Sequence, residues 1–154
     1  MALYQLIKKQ VIPATIEVIW DFISSPRNLK AITPKHMGFD ITSANLPEKI
    51  YQGMIISYKV KPIAGIPMTW VTEITHVEEK KFFIDEQRLG PYAFWHHQHF
   101  IEPVTNGVLM TDIVSYKPPM LFLGNIVNTL FVKRKIESIF AYREEVLAKI
   151  FEAG

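Results

Sequence analysis

The chain alternates apolar and polar positions in several short segments that are separated by turn residues. Such alternation is typical of β-strands with one buried face. It predicts a first strand that ends at Pro13 and a later run of six strands. Their predicted ranges are 2–12, 37–41, 54–60, 68–77, 82–89, 94–102 and 108–116. Residues 62–67, with two prolines and a glycine, predict a turn.

Helical spacing appears at two places. Thr15 to Ile23 has apolar residues 3.6 positions apart and a threonine that can cap the helix, and Ser25-Pro26 predicts a second short helix. From Pro118-Pro119 to Phe151 the pattern predicts one long helix with two apolar sides. One side holds Val132, Ile136, Ile139, Arg143, Val146, Leu147 and Ile150, and the other holds Leu123, Ile126, Val127, Leu130 and Phe131.

This order of elements predicts an α+β fold in one domain, residues 1–154. A curved seven-stranded antiparallel sheet must bury its concave face, and the long C-terminal helix is the element available to cover it. Two short helices follow the first strand. A sheet that grips a helix encloses space, and such space is the default site for a small molecule.

Composition narrows the classes of partner. The 17 basic and 15 acidic residues are well mixed and give a net charge of +2, so we expect no nucleic acid partner. The absence of cysteine excludes disulfides, thiolate catalysis and cysteine-ligated zinc. No segment has the ~20 apolar residues of a membrane span, and the N-terminus lacks the apolar block of a signal peptide. We therefore expect a cytoplasmic protein.

The most chemically loaded segment is residues 90–99, which holds three of the five histidines. In a strand, Trp95, His97 and His99 share one face, and His96 lies on the other. The Asn106-Gly107 step predicts a tight hairpin to the last strand, where Asp112 is the polar member of an apolar face. Pairing about this turn brings Asp112 to the level of Ile101 and His99. A buried carboxylate needs a partner, and imidazole is available.

Four groups of residues carry a resemblance to a known family. They are Gly90-Pro91-Tyr92, Trp95-His96-His97-Gln98-His99, Met110-Thr111-Asp112-Ile113-Val114-Ser115-Tyr116 and Ile139-Phe140-Ala141-Tyr142-Arg143. With the order of elements, they resemble the SRPBCC or START-like helix-grip superfamily. More narrowly, they resemble bacterial ligand-binding members grouped with polyketide cyclases and coenzyme Q-binding proteins. Met120 to Leu123 depart from that pattern, where relatives often have a shorter approach to the helix.

The resemblance implies a cavity for an apolar, lipid-like or aromatic ligand and supplies no reaction. The expected ligand-binding residues are Tyr58, Trp70, Trp95, His97, His99, Asp112 and Tyr116. Neither a cofactor nor a metal is expected. A homodimer is compatible with the sequence.

The polar cluster has other interpretations. His97 or His99 with Asp112 can form a structural pair that braces the sheet. The same residues can serve as the acid–base pair of a cyclase- or hydrolase-type enzyme. Two histidines and a carboxylate can also bind a metal, but the neighbouring indole and the lack of an outer-shell signal argue against it.

Two charged residues and one apolar segment complete the list of candidates. A cross-strand hydrogen bond is the ordinary expectation for Asp85, although it shares a face with Phe83 and can reach the cavity. Arg143 is expected to pair with Asp85 or Asp112. The segment from Met120 to Phe131 is a candidate surface for another protein or a membrane.

Overall fold

The computed structural model describes residues 3–63, 65–118 and 125–152, and its centre is an antiparallel sheet of seven strands. The helices are α1 (Ile16–Ile23) and α2 (Asn125–Glu152), with two 3₁₀ helices at Pro26–Lys30 and Lys35–Met37. The strands are β1 (Tyr4–Ile12), β2 (Asp40–Ile41), β3 (Ile55–Ile63), β4 (Ile66–Glu78), β5 (Phe82–Leu89), β6 (Phe94–Val104) and β7 (Gly107–Lys117).

The strands lie in the order β1-β7-β6-β5-β4-β3-β2. Strands β2 to β7 therefore form a meander, and the last strand, β7, pairs with the first strand, β1. The sheet is open and curved, and α2 contacts β1 at one end of it. This confirms the α+β helix-grip fold class that the sequence predicts. None of the helices among the described residues is long and apolar enough to cross a membrane.

The short elements after β1 agree with the helical signals. The Thr15 side chain accepts a hydrogen bond from the Val18 amide, which caps α1, and Pro26 begins a 3₁₀ helix. The predicted strand over 37–41 is too long, because Gly38 adopts a left-handed φ of 57° and ends the second 3₁₀ helix there. The predicted turn over 62–67 is also too wide, since β3 extends to Ile63 and β4 begins at Ile66.

The hairpin between β6 and β7 turns one residue earlier than the Asn106-Gly107 step predicts. Val104 pairs with Gly107, which leaves Thr105 and Asn106 as the turn. Gly107 has a φ of 142°, and a Cβ atom there would lie 2.0 Å from the carbonyl oxygen of Ile12. The glycine is therefore required by the close approach of β1, and the shift sets Asp112 opposite His99.

Helix α2 buries most of its predicted core side and exposes the other. Its buried residues are Val132, Ile136, Phe140, Arg143 and Leu147. Ile150 is 41% exposed, contrary to its predicted place on the buried stripe. On the opposite side Leu130 and Phe131 are 52% and 51% exposed. Met120 to Leu123 lie outside the described residues, as do the side chains of Ile126 and Val127.

Candidate functional site

Three neighbouring strands bring two histidines and two aspartates together on the concave face of the sheet. In the β5–β6 register Asp85 lies opposite His97, and in the β6–β7 register Asp112 lies opposite His99. Because His97 and His99 are two residues apart, their side chains leave the same face. Their ring centroids are 3.6 Å apart, so each carboxylate reaches both imidazoles.

The shortest contacts in this cluster run diagonally across the strands. His97 Nε2 lies 2.7 Å from Asp112 Oδ1, and His99 Nε2 lies 2.5 Å from Asp85 Oδ2. Since an ionised carboxylate only accepts, both Nε2 atoms donate these hydrogen bonds. Two longer contacts complete the square: His97 Nδ1 to Asp85 Oδ2 at 3.7 Å and His99 Nδ1 to Asp112 Oδ1 at 3.3 Å. The last pair lies within reach but lacks hydrogen-bond geometry.

Arg143 of α2 closes the cluster from the helix side. Its Nη1 lies 3.8 Å from Asp112 Oδ1, and both residues are buried. The guanidinium also lies over the ring of Phe140, 5.7 Å from the centroid. This confirms the expected pairing of Arg143 with a carboxylate between helix and sheet, and Asp112 is that carboxylate.

The pKa values of the two histidines are shifted in opposite directions. Burial and the neighbouring charge of His99 lower the pKa of His97 to about 4. Burial also disfavours charge on His99, but its interactions with Asp112 and Asp85 outweigh burial and raise its pKa. His97 is therefore neutral near pH 7, and His99 is the histidine of the pair that takes up a proton more readily.

Both carboxylates stay ionised despite their burial. Burial acts to raise the pKa of Asp112, but Arg143 and the two histidines hold it well below its usual value. The pKa of Asp85 is lowered against the effect of burial by its hydrogen bond from His99 and by electrostatic interaction with His97, His99 and Arg143. When His99 is protonated, the two negative carboxylates face two positive groups, His99 and Arg143, and the charges of the cluster balance.

A cavity of about 160 Å³ lies between the sheet, α2 and the segment that follows α1. Its walls are mostly apolar and aromatic, and polar side chains are a minority among them. From the polar cluster, Asp85, His97, His99 and Arg143 line it. The side chains that line it from elsewhere include Ile23, Leu29, Ile32, Met37, Phe39, Ile41, Ile50, Ile56, Ile74, Phe83, Ile136, Ile139 and Phe140.

Aromatic side chains form a continuous part of this wall. Tyr58 stacks on Trp70 with ring centroids 5.8 Å apart, and Trp70 meets Trp95 edge-on at 5.4 Å. Tyr92, from the turn before β6, packs 5.5 Å from Trp70 and 4.8 Å from Trp95. The hydroxyl of Tyr58 is 3.3 Å from that of Thr72, and burial raises the pKa of the phenol.

Some polar atoms on the cavity wall lack partners. Among the described residues, Trp70 Nε1, His99 Nδ1 and Arg143 Nε are buried and find no hydrogen-bond partner. Leaving a buried donor unsatisfied costs about 1–3 kcal/mol. Trp70 and Arg143 are only 7% and 8% exposed, so bulk water has little access to hydrogen-bond with these atoms.

The structure gathers most of the residues that the sequence selects. Tyr58, Trp70, Trp95, His97 and His99 line the cavity. Asp112 lies behind the histidines, against a small cleft of about 10 Å³ beside Phe140 and Arg143. Tyr116 belongs to a separate core cluster and is not among the residues that line the cavity.

Two residues of the wall carry more weight than the sequence pattern assigns to them. Asp85 is expected to make an ordinary cross-strand hydrogen bond; it makes one to His99, and it also lines the cavity. Tyr92 is held in place by Gln87, whose side chain bonds both the amide and the carbonyl of Tyr92. A Cβ atom at Gly90 would lie 2.5 Å from Gln87 Oε1, so this turn requires a glycine at that position. The Gly-Pro-Tyr motif is therefore the feature of the sequence that indicates where Tyr92 lies.

Comparison with solved structures gives matches along nearly the whole chain. The Zhui aromatase/cyclase from Streptomyces sp. R1128 superposes with a TM-score of 0.78 at 10% identity, over 98% of this chain and 94% of that one. Protein CV1439 from Chromobacterium violaceum gives 0.71 at 12% identity, over 96% and 97%. Ara h 8.0201 gives 0.58 at 12% identity, over 95% and 98%.

Neither a family model nor a curated protein matches the sequence. The identities to the solved structures are low, so these similarities concern the fold. The chain has a helix-grip fold, which it shares with these solved structures.

Proposed function

We propose that this protein binds a hydrophobic small molecule, aromatic or lipid-like, in the cavity between the sheet and α2. The observation that carries the proposal is the cavity itself: apolar and aromatic walls with a few polar groups. That combination is typical of small-molecule sites. We place the protein functionally with the polyketide cyclase-like and coenzyme Q-binding-like members of its fold.

The size of the cavity limits the ligand. An engineered cavity of about 150 Å³ accommodates benzene, so 160 Å³ suits a compact, ring-sized group. A larger ligand requires the wall to move outward. The segment from Pro26 to Met37 forms part of that wall and consists of short 3₁₀ helices.

The unpartnered donors indicate which chemistry the ligand carries. Trp70 Nε1 and Arg143 Nε both need an acceptor, and both residues line the cavity. A hydroxyl or carbonyl oxygen on the ligand would satisfy one or both. We therefore propose an apolar ring that bears at least one oxygen.

The test is binding of 1-naphthol, with naphthalene as the matched probe that lacks the oxygen. Titration calorimetry should show saturable binding of 1-naphthol to the wild-type chain, tighter than that of naphthalene. Trp70→Phe keeps an aromatic ring and removes the N–H donor. It should therefore weaken the binding of 1-naphthol by about fivefold to tenfold, as expected for the loss of one hydrogen bond. Trp20→Phe is the control, because Trp20 is buried but is not among the cavity residues.

Failure of 1-naphthol and naphthalene to bind, together with no thermal shift across a wider panel of lipids and aromatic ketones, contradicts the proposal. Equal losses in Trp70→Phe and Trp20→Phe contradict the assignment of the donor. The alternatives from the sequence, an acid–base enzyme and an interaction module, stay predictions. So do the homodimer and the cytoplasmic location.

A further inference from the structure

We propose that Asp85, His97 and His99 form a binding site for one divalent transition-metal ion on the cavity wall. One donor atom from each residue lies within 4.8 Å of the other two. Asp85 Oδ2 is 2.5 Å from His99 Nε2 and 3.7 Å from His97 Nδ1. Two imidazole nitrogens therefore flank one carboxylate oxygen, and all three residues line the cavity.

The spacing of these atoms is close to what a metal requires. Bonds of about 2.1 Å to nitrogen and oxygen in a tetrahedral site put neighbouring ligand atoms about 3.4 Å apart. The 3.7 Å separation already fits, and the 2.5 Å hydrogen bond must open by about 1 Å. The metal would take the place of the proton that His99 Nε2 now shares with Asp85.

The second support is the group behind the ligands. A histidine that binds a metal usually donates its other ring N–H to a carboxylate. The other nitrogens here are His97 Nε2 and His99 Nδ1. His97 Nε2 donates a hydrogen bond to Asp112 Oδ1 at 2.7 Å, whereas His99 Nδ1 lies 3.3 Å from the same oxygen without hydrogen-bond geometry. Arg143 holds Asp112 from the helix side.

This outer carboxylate bears directly on the sequence-based expectation of no metal. That expectation rested on the neighbouring indole and on the lack of an outer shell around His97 and His99. The sheet register supplies it, since Asp112 is opposite His99 and bonds to His97. Asp85, from the neighbouring strand β5, supplies the inner carboxylate.

The ligand set selects the class of ion. Two imidazoles and one carboxylate favour Zn²⁺ and its first-row neighbours, whereas Mg²⁺ and Ca²⁺ prefer oxygen ligands. Three protein ligands leave at least one coordination position, which faces the cavity. The inference does not depend on the proposed organic ligand, because metal binding is measured without it.

The experiment is calorimetric titration of Zn²⁺ into the full chain after treatment with a chelator. We expect one ion per chain, with no competition from millimolar Mg²⁺. Asp85→Ala and His99→Gln should each weaken binding at least tenfold, and Asp112→Asn about tenfold to a hundredfold. His96→Gln is the matched control: His96 lies in the same strand on the opposite face, with Glu86. It should bind Zn²⁺ like the wild type.

A second measurement uses the unaltered chain, in case a variant fails to fold. Imidazole ¹⁵N resonances of the wild type should shift for His97 and His99 on addition of one equivalent of Zn²⁺, and those of His96 should not. Absence of stoichiometric binding overturns the proposal. So does binding that shifts only surface histidines or that survives both Asp85→Ala and His99→Gln.

Discussion

Asp112 lies directly opposite His99 in the sheet, yet its 2.7 Å hydrogen bond comes from His97, two residues earlier on the same face. Asp85 does the reverse from the other side, since it lies opposite His97 and accepts from His99. The two adjacent imidazoles of β6 therefore contact carboxylates on both neighbouring strands. Asp112 therefore joins β7 to β6 and to Arg143 of α2, and Asp85 joins β5 to β6.

Asp112→Asn should lower the free energy of unfolding by about 3 kcal/mol, because breaking the buried ion pair leaves the buried charge of Arg143 without a counter-charge. Urea denaturation at pH 7 measures this. Glu86→Gln is the control on the same sheet. Its carboxylate pairs with His96 and Arg88 in a half-exposed position, and its loss should cost less than about 1 kcal/mol. Equal losses in the two variants contradict a special role for the buried cluster.

The stability of the metal-free chain should pass through a maximum near pH 6.5. Below that pH, unfolded His97 binds a proton that the folded side chain, with a pKa of about 4, does not, so stability falls as pH decreases towards 4. The pKa of His99 is raised, so its contribution is complete below pH 6.5 and is lost as pH rises through the folded value.

Urea denaturation across pH 4.5–8.5 in the presence of a chelator tests this prediction. His97→Gln should flatten the acid side, and His99→Gln should flatten the alkaline side. His96→Gln should leave the profile unchanged. A wild-type profile that rises steadily to pH 8.5 contradicts the assignment of charge to His99.

Gly107→Ala should be much more destabilising than other glycine substitutions with positive φ. A Cβ atom at Gly107 would lie 2.0 Å from the Ile12 carbonyl oxygen, so β1 and β7 must separate locally. We expect a loss above about 3 kcal/mol. Gly53→Ala also starts from positive φ but meets no atom within 4 Å, and it should cost about 1 kcal/mol. Thermal or urea unfolding measures both variants. Similar losses of stability in the two would contradict this prediction, because they would mean that the positive φ, and not the contact with Ile12, sets the cost.

Ile139→Trp should abolish binding of 1-naphthol with a modest effect on stability. Ile139 is half-buried and lines the cavity from α2, so an indole there fills the space a ligand needs. Ala141→Trp is exposed on the same helix and serves as the control. Calorimetric binding that persists in Ile139→Trp places the ligand somewhere other than this cavity.

The double variant Leu130→Gln/Phe131→Gln tests whether the exposed side of α2 is the interface of the homodimer that the sequence permits. Both side chains are about half exposed on α2, and replacing exposed residues changes stability by about 0.5 kcal/mol or less. Sedimentation should show a dimer for the wild type and a monomer for the variant. A monomeric wild type, or a dimer in both, contradicts an interface at these residues.

The sequence alone determined the local structure and the faces of the strands. Alternation places His97 and His99 on one buried face and His96 on the other, because a strand repeats every two residues. Burial of Val108 and Val114 with Asp112 between them follows from the same periodicity. Helical spacing likewise identified the buried side of α2, apart from its last turn at Ile150.

Only the tertiary structure decided which polar groups meet. The one-residue shift of the hairpin depends on the approach of Ile12 to Gly107, which joins the first strand to the last. The inclusion of Asp85 depends on the register between β5 and β6, which no local pattern specifies. Periodicity fixes the direction in which a side chain points, whereas contact between strands depends on long-range packing, and the cluster of Asp85, His97, His99 and Asp112 is a product of that packing.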